Sequence, residues 1–149
     1  MDRKLSSHSI KEILETQRFG RLACIFADQP YIMPVTFVFR DGYIYGQTNE
    51  GTKLEIIRLN RNVCFEVDRV IATNTWESVV VIGEFEELHG EDAVTARTTF
   101  MAHAFPIIEE YPSAETLIRD LAYPENTRRV KQVIYRIRII QINGYTETR

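Results

Sequence analysis

Gly51-Thr52-Lys53 closes a polar stretch, Gln47-Thr48-Asn49-Glu50, and opens a run with helical periodicity. Backbone N–H groups at a helix start have no partner within the helix and favour an anion. Thr52 can add a hydroxyl, Gly51 lets a ligand approach the backbone closely, and Lys53 supplies a full charge. A phosphate suits that set. So does a plain N-cap followed by a solvated lysine. The first glycine of a P-loop is missing, so the segment does not point to a nucleoside triphosphate.

Met33-Pro34-Val35-Thr36 lies inside an apolar, β-prone run. Proline cannot donate to a ladder, so Pro34 marks an edge, a bulge or a stretch that faces a ligand. A flat heterocycle with donors and acceptors on its rim could use such peptides. A proline guarding an edge against aggregation fits equally. Trp76 and Ser78 share one face at the start of another apolar strand. They could stack on and hydrogen-bond a ligand, or be a core tryptophan and a strand-start serine.

The histidines, His8, His89 and His103, are far apart, and no carboxylate spacing ties them to a triad or a zinc motif. The acidic groups Glu84/Glu86/Glu87 and Glu109/Glu110 read as solvated faces. Arg128, Arg129, Lys131, Arg136 and Arg138 could attract an anion, or lie on a solvated, salt-bridged strand. Cys24 and Cys64 sit in separate apolar runs and read as free thiols in a reducing compartment. No metal site is expected.

The elements that must position these residues follow from local pattern. Ser9-Ile-Lys-Glu12 fits a capping box ahead of a short helix ending near Gln17, with Ile10, Ile13 and Leu14 inward. Phe19–Phe26 and Tyr31–Phe39 read as strands around a turn at Asp28-Gln29-Pro30. Asp41-Gly42 is a strong hairpin signal, with Tyr43–Gln47 as the returning strand. Thr52–Leu59 is expected to be helical, with Leu54, Ile56 and Ile57 inward and Asn60 at its end. Val63–Val67 and Trp76–Leu88 are further strands, with a bulge or bend at Gly83. Ala93–Ala104 and Thr116–Ala122 read as helices. Val133–Ile142 is the last strand, with isoleucines on both parities, as in a strand covered on both faces. Strands joined in hairpins, without a βαβ alternation, predict a mainly β, α+β fold. It is expected to be a six-stranded antiparallel barrel with peripheral helices, forming one domain over residues 1–149.

Composition narrows the classes. The 149 residues carry 18 basic and 21 acidic side chains, a formal charge of −3, which does not favour nucleic acid. Apolar residues make up 44%, enough for a core and against long disorder. Met1–Ser9 is polar, unlike a signal peptide, and no apolar run is long enough to span a bilayer. A cytoplasmic protein is the expectation.

Five segments in register resemble a known family: Arg18–Ala23 (RFGRLA), Pro30–Phe37 (PYIMPVTF), Asp41–Glu55 (DGYIYGQTNEGTKLE), Asn62–Asp68 (NVCFEVD) and Trp76–Gly83 (WESVVVIG). The chain is similar there to the FMN-binding split-barrel proteins related to pyridoxamine 5′-phosphate oxidase, and most to their nitroimidazole-resistance branch. The resemblance implies a six-stranded split β-barrel and a homodimer with FMN in a cleft between subunits. It implies that Met33, Pro34, Val35 and Thr36 touch the flavin ring. Gln47 and Thr48 would meet the ribityl chain or phosphate, and Gly51, Thr52 and Lys53 the phosphate. Trp76 and Ser78 would approach the flavin from a later strand. An oxidoreductase of small molecules, drawing on NAD(P)H, is the implied activity. Two departures bear on substrate. The strand Met33–Phe37 lacks the basic residues of true pyridoxamine phosphate oxidases, and the chain ends Asn143–Arg149 (NGYTETR) without their arginine and histidine segment. Both argue against vitamin B6 oxidation. Gln47 replaces a histidine common in the nitroimidazole branch. The alternative is a split barrel that binds flavin or haem without turnover, with His103 as the axial candidate.

Overall fold

Three hairpins and one crossing of the chain generate the architecture in a computed structural model, which describes residues 2–104 and 132–149. Strand β2 (Phe19–Phe26) turns into β3 (Gln29–Thr36) through Ala27 and Asp28, with φ of 50° and 61°. Two left-handed residues match the right-handed twist of the flanking strands. The turn therefore lies one residue earlier than Asp28-Gln29-Pro30. Gln29 pairs with Phe26 and Pro30 with Ile25, so both belong to the strand. Pro30 and Pro34 are tolerated because β3 ends the ladder.

The run Tyr31–Phe39 is not one strand. It breaks at Phe37, and β4 (Val38–Arg40) continues as a separate element. Asp41 and Gly42, with φ of 53° and 79°, then turn β4 into β5 (Tyr43–Asn49), as their sequence predicts. The ladder runs β3-β2-β6-β7-β8-β5-β4, where β6 is Asn62–Ala72, β7 is Thr75–Glu87 and β8 is Gln132–Thr148. Consecutive strands β3 and β4 thus occupy opposite ends of one antiparallel sheet. Only a sheet curled on itself permits that, and the barrel is closed there by chain rather than by ladder. A short β1 (Asp2–Lys4) adds to β8, giving eight strands instead of six among the described residues. The difference is β1 and the break at Phe37. The irregularity expected at Gly83 is present, but the inserted residue is on the partner strand. Ile82 pairs with Gln141 and Gly83 with Ile139, leaving Ile140 extra.

Helix α1 (Ser7–Thr16) starts earlier than the Ser9 capping box implies. The Ser6 hydroxyl accepts the Ser9 N–H at 3.1 Å, so Ser6 is the cap and Ser9 lies within the first turn. Glu12 instead receives Arg69 at 2.9 Å. Helix α2 (Thr52–Leu59) has the expected limits, with Leu54, Ile56 and Ile57 buried and Asn60 as C-cap. Helix α3 (Gly90–Ala104) covers the outside of the first half of β8: Ile134 packs with Ala96, Phe100 and Met101, while Val133 and Tyr135 face the barrel. That start of β8 is therefore covered on both faces. Further on the strand emerges, and Ile140 is exposed. The expected helix at Thr116–Ala122 lies outside the described residues. No helix among the described residues is long and apolar enough to cross a membrane.

The barrel interior is one cluster that includes Leu22, Phe65, Val79 and Phe85, plugged by Ile13 and Leu14 of α1 and Leu54 of α2. Phe37 is 1% exposed and meets Phe65 edge-on, at 4.8 Å between centroids and 71° between planes. Its N–H donates to the Arg18 carbonyl at 2.9 Å. Truncating this side chain empties the point where the two sheet ends meet. Phe37→Ala is expected to cost about 3–5 kcal/mol in urea unfolding. A loss below about 1 kcal/mol would show that closure does not depend on it.

Candidate functional site

A cavity of about 340 Å³ lies where the sheet ends diverge. That is the small end of the ~300–1,000 Å³ typical of ligand pockets. Met33, Pro34, Val35 and Thr36 of β3 form one wall, and Gln47, Thr48 and Asn49 of β5 the opposite one. Lys53 stands at the mouth, with Leu54 and Ile57 of α2 below it. Phe85 and Tyr135 form the floor, stacked at 4.7 Å and 28°. Their packing fixes β5 as well: a Cβ on Gly46 would coincide with the Tyr135 phenol, so only glycine lets β5 lie this close to β8. Burial pushes the Tyr135 hydroxyl well above its usual range, so it stays neutral.

Three features give the cavity its polarity. The Gln47 side-chain oxygen is buried and lacks a hydrogen-bond partner among the described residues. Such an orphaned acceptor costs ~1–3 kcal/mol unless a donor arrives. Helix α2 starts at Gly51 with no side-chain cap, and the N–H groups of its first turn point out of the helix. Lys53 is exposed and forms no ion pair among the described residues. Neighbouring Glu50 is held by another cation. Arg58 grips it with both Nη atoms at 2.9 Å and reaches Glu87 at 2.7 Å. The same guanidinium holds the Glu87 carboxyl below its usual range. Burial pushes the Cys24 thiol up, against the pull of the Lys53 charge.

The structure thus brings Met33, Pro34, Val35, Thr36, Gln47, Thr48 and Lys53 into one cavity, with Gly51 and Thr52 beside its mouth. Trp76 and Ser78 do not line it. Phe85 points inward, so the even-numbered residues of β7 face outward, and nine residues along a strand is ~30 Å. Trp76 and Ser78 lie on the open outer face, Trp76 opposite exposed Val70, and Arg149 covers the Trp76 ring at 5.4 Å. Phe100 and Met101 of α3 join the lining without having been singled out. Their helix has no clear apolar stripe to announce which face is buried.

The other sequence candidates have structural partners. Arg136 binds Glu86 at 2.8 Å, and Arg138 binds Glu84 at 3.2 Å and Glu86 at 3.5 Å, which is the salt-bridged alternative. Arg128, Arg129, Lys131, Glu109 and Glu110 lie outside the described residues. The two cysteines are free, since Cys64 pairs with Ala23 and so faces away from Cys24. His103 uses both ring nitrogens, one toward Arg40 at 3.0 Å and one toward the Thr99 carbonyl at 2.8 Å, and is outside the cavity. Among the described residues no group of His, Cys, Asp and Glu could hold a metal ion.

This fold and cavity define a split-barrel protein with an anion-receptive ligand site. The chain belongs to the pyridoxamine 5′-phosphate oxidase family, whose model matches residues 6–146. It is similar to the uncharacterized protein RA0666 of Rhizobium meliloti (strain 1021), at 28% identity over 111 residues, covering 74% of this chain and 72% of that protein. Among solved structures it resembles a FAD-binding protein from Mesorhizobium loti, at 29% identity and a TM-score of 0.74, with 99% of each chain covered. A candidate 5-nitroimidazole antibiotic resistance protein from Bacteroides thetaiotaomicron shares the fold at 17% identity and a TM-score of 0.72, with 98% of this chain and 87% of that one covered.

On the outer face, Arg21 binds Glu66 and Asp68, each at 3.1 Å. Burial, and then Asp68 beside it, push the Glu66 carboxyl up to about 7, against the pull of Arg21. A carboxyl raised from 4.5 binds more protons folded than unfolded between these values. Its contribution to stability is therefore lost as pH rises toward 7. Glu66→Gln is expected to raise the melting temperature at pH 8 and to leave it unchanged near pH 4. An equal shift at both pH values would contradict this titration.

Proposed function

We propose that the protein binds FMN in the cavity between β3 and β5 and acts as an oxidoreductase on a small molecule. The convergence of Gln47, Lys53 and the Met33–Thr36 strand on one cavity carries the reading. Membership of the family and the FAD-binding relative from Mesorhizobium loti support a flavin there.

The residues fit the group. One uncapped helix start and one unpaired lysine match a single phosphate. A Cβ on Gly51 would meet nothing within 4 Å, so the approach to that backbone is open. The Gln47 oxygen awaits a donor, which a ribityl hydroxyl or a ring N–H supplies. Strand β3 ends the ladder, so the peptide groups on its free edge can meet a heterocycle, and Pro34 keeps another strand from taking that edge. Phe85, Tyr135 and Leu22 exclude water from one side. A bound flavin supplies the electron transfer. The chain's own residues bind it, orient it and fix its charge environment. Met33 and Val35 offer no cation for a substrate phosphate, which argues against vitamin B6 oxidation.

The reading includes a homodimer. The outer face of the sheet exposes Phe19, Ile32, Val70 and Ile82, with no element over it among the described residues. Arg21, Glu66 and Asp68 lie among them, and exposed apolar patches rimmed by such charges mark interfaces. Trp76 and Ser78 lie on that face and would reach a partner's flavin rather than their own. The reductant is a nicotinamide such as NAD(P)H, consistent with a cytoplasmic setting.

Lys53→Ala is expected to weaken FMN binding by roughly 1–3 kcal/mol in a fluorescence titration, with circular dichroism unchanged. An unaltered dissociation constant would remove Lys53 from the site. With FMN bound, NADPH is expected to bleach the visible flavin band anaerobically. A band that ignores both nicotinamides would make the protein a flavin carrier.

A further inference from the structure

A second cavity, about 750 Å³, opens between α1 and the β4–β5 turn. It shares no lining residue with the first. Its floor is apolar, formed by Ile10, Leu14 and Phe37. Its cations are Lys11, which faces Glu15 at 3.8 Å, and Arg18 and Arg40, whose bonding is unlike that of the arginines on β2, β6, β8 and α2. Arg21, Arg58, Arg69, Arg136 and Arg138 each bind one or two carboxylates. Arg18 and Arg40 bind none among the described residues. Arg18 donates from Nη1 to the Thr16 carbonyl at 3.0 Å, while its Nε–H is buried with no acceptor. A guanidinium N–H held out of water without a partner is costly and calls for an acceptor. Arg40 is steered by a neutral group: Nη1 donates to His103 Nε2, whose ring donates from Nδ1 to the Thr99 carbonyl. That bond orients Arg40 without placing a carboxylate on it among the described residues. The two acids on the rim do not supply the missing partner. Glu15 is engaged by Lys11 at 3.8 Å, and Asp41 makes no ion pair among the described residues.

We propose that this cavity is a second ligand site, taking a small organic anion with an apolar body. Its carboxylate lies on Arg18 and Arg40, and its apolar part on the partly exposed Ile10 and Phe39. Guanidinium forks suit a carboxylate held by two oxygens. The site is coupled to the first through backbone. Thr36 lines one cavity, Phe37 the other, and the Phe37 N–H is tied to the Arg18 carbonyl. An occupant therefore bears on the strand crossing that also forms the wall of the first cavity.

Calorimetric titration of the full chain with 1-naphthoate, and with uncharged 1-naphthamide, tests this. One naphthoate is expected per chain, at least about tenfold weaker in Arg18→Met and in Arg40→Met, and unchanged in Lys53→Ala. The amide is expected to bind at least about tenfold more weakly than the acid. Arg40 is exposed, so its variant keeps the test valid should Arg18→Met fail to fold. No saturable binding, equal binding of acid and amide, or a loss in Lys53→Ala without one in Arg40→Met would each overturn the assignment.

Discussion

The structure depends on one crossing of the chain at Phe37. Its ring is buried against Phe65, and its N–H is held by the Arg18 carbonyl. On one side of it the chain belongs to the first strand of the ladder, on the other to the last. The outer edges of β3 and β4 pair with no strand among the described residues, and the crossing joins these two ends of one curled sheet. Carrying the chain from one end of the ladder to the other closes the barrel with a single residue. It also prevents β3 and β5 from pairing, and the first cavity is the space left between them. Immediately beyond Phe37, Val38 to Arg40 line the second. Both cavities are by-products of one packing decision.

Electrostatics then separate the two sites from the rest of the surface. The chain is acidic overall, and its arginines are largely consumed by carboxylates along β6, β7 and β8. Exposed pairs of this kind add little stability. Their effect here is to remove charge from most of the wall. The bidentate hold of Arg58 on Glu50 matters for the same reason, since it withdraws a carboxylate from the start of α2. Against that background, Lys53 beside the uncapped start of α2, and Arg18 with Arg40, bind no carboxylate among the described residues, which is what both proposed sites rest on.

Much of this was legible in the residues. Asp41-Gly42 specifies its turn because both positions need φ > 0. Thr52–Leu59 combines a glycine stop, helical spacing and Asn60, and its limits are those expected. The first turn was harder to place: Ala27-Asp28 lacks the usual signature, while Pro30 imitates one. Ser9 and Glu12 form a convincing capping box, but Ser6, one turn earlier, does the capping. The break at Phe37 was invisible because YIMPVTFVF is uniformly β-prone, and only closure of the sheet requires it. Parity places Trp76 and Ser78 on one face of their strand. Which face lies inside is decided by the neighbouring strands, and here theirs is the outer one. The role of Arg40 depends on His103, far along the chain, and that of Arg18 and Arg40 together on neither binding a carboxylate among the described residues, and no local motif records either.

A crystal structure of the protein with FMN tests the central claim most directly. The account predicts the phosphate at the start of α2 within ion-pair distance of Lys53, and a flavin N–H or hydroxyl donating to the Gln47 oxygen. It also predicts the ring along Met33–Thr36, with Trp76 or Ser78 of a second copy against it. Flavin bound elsewhere, or in this cavity with Lys53 and Gln47 both out of contact, would contradict it.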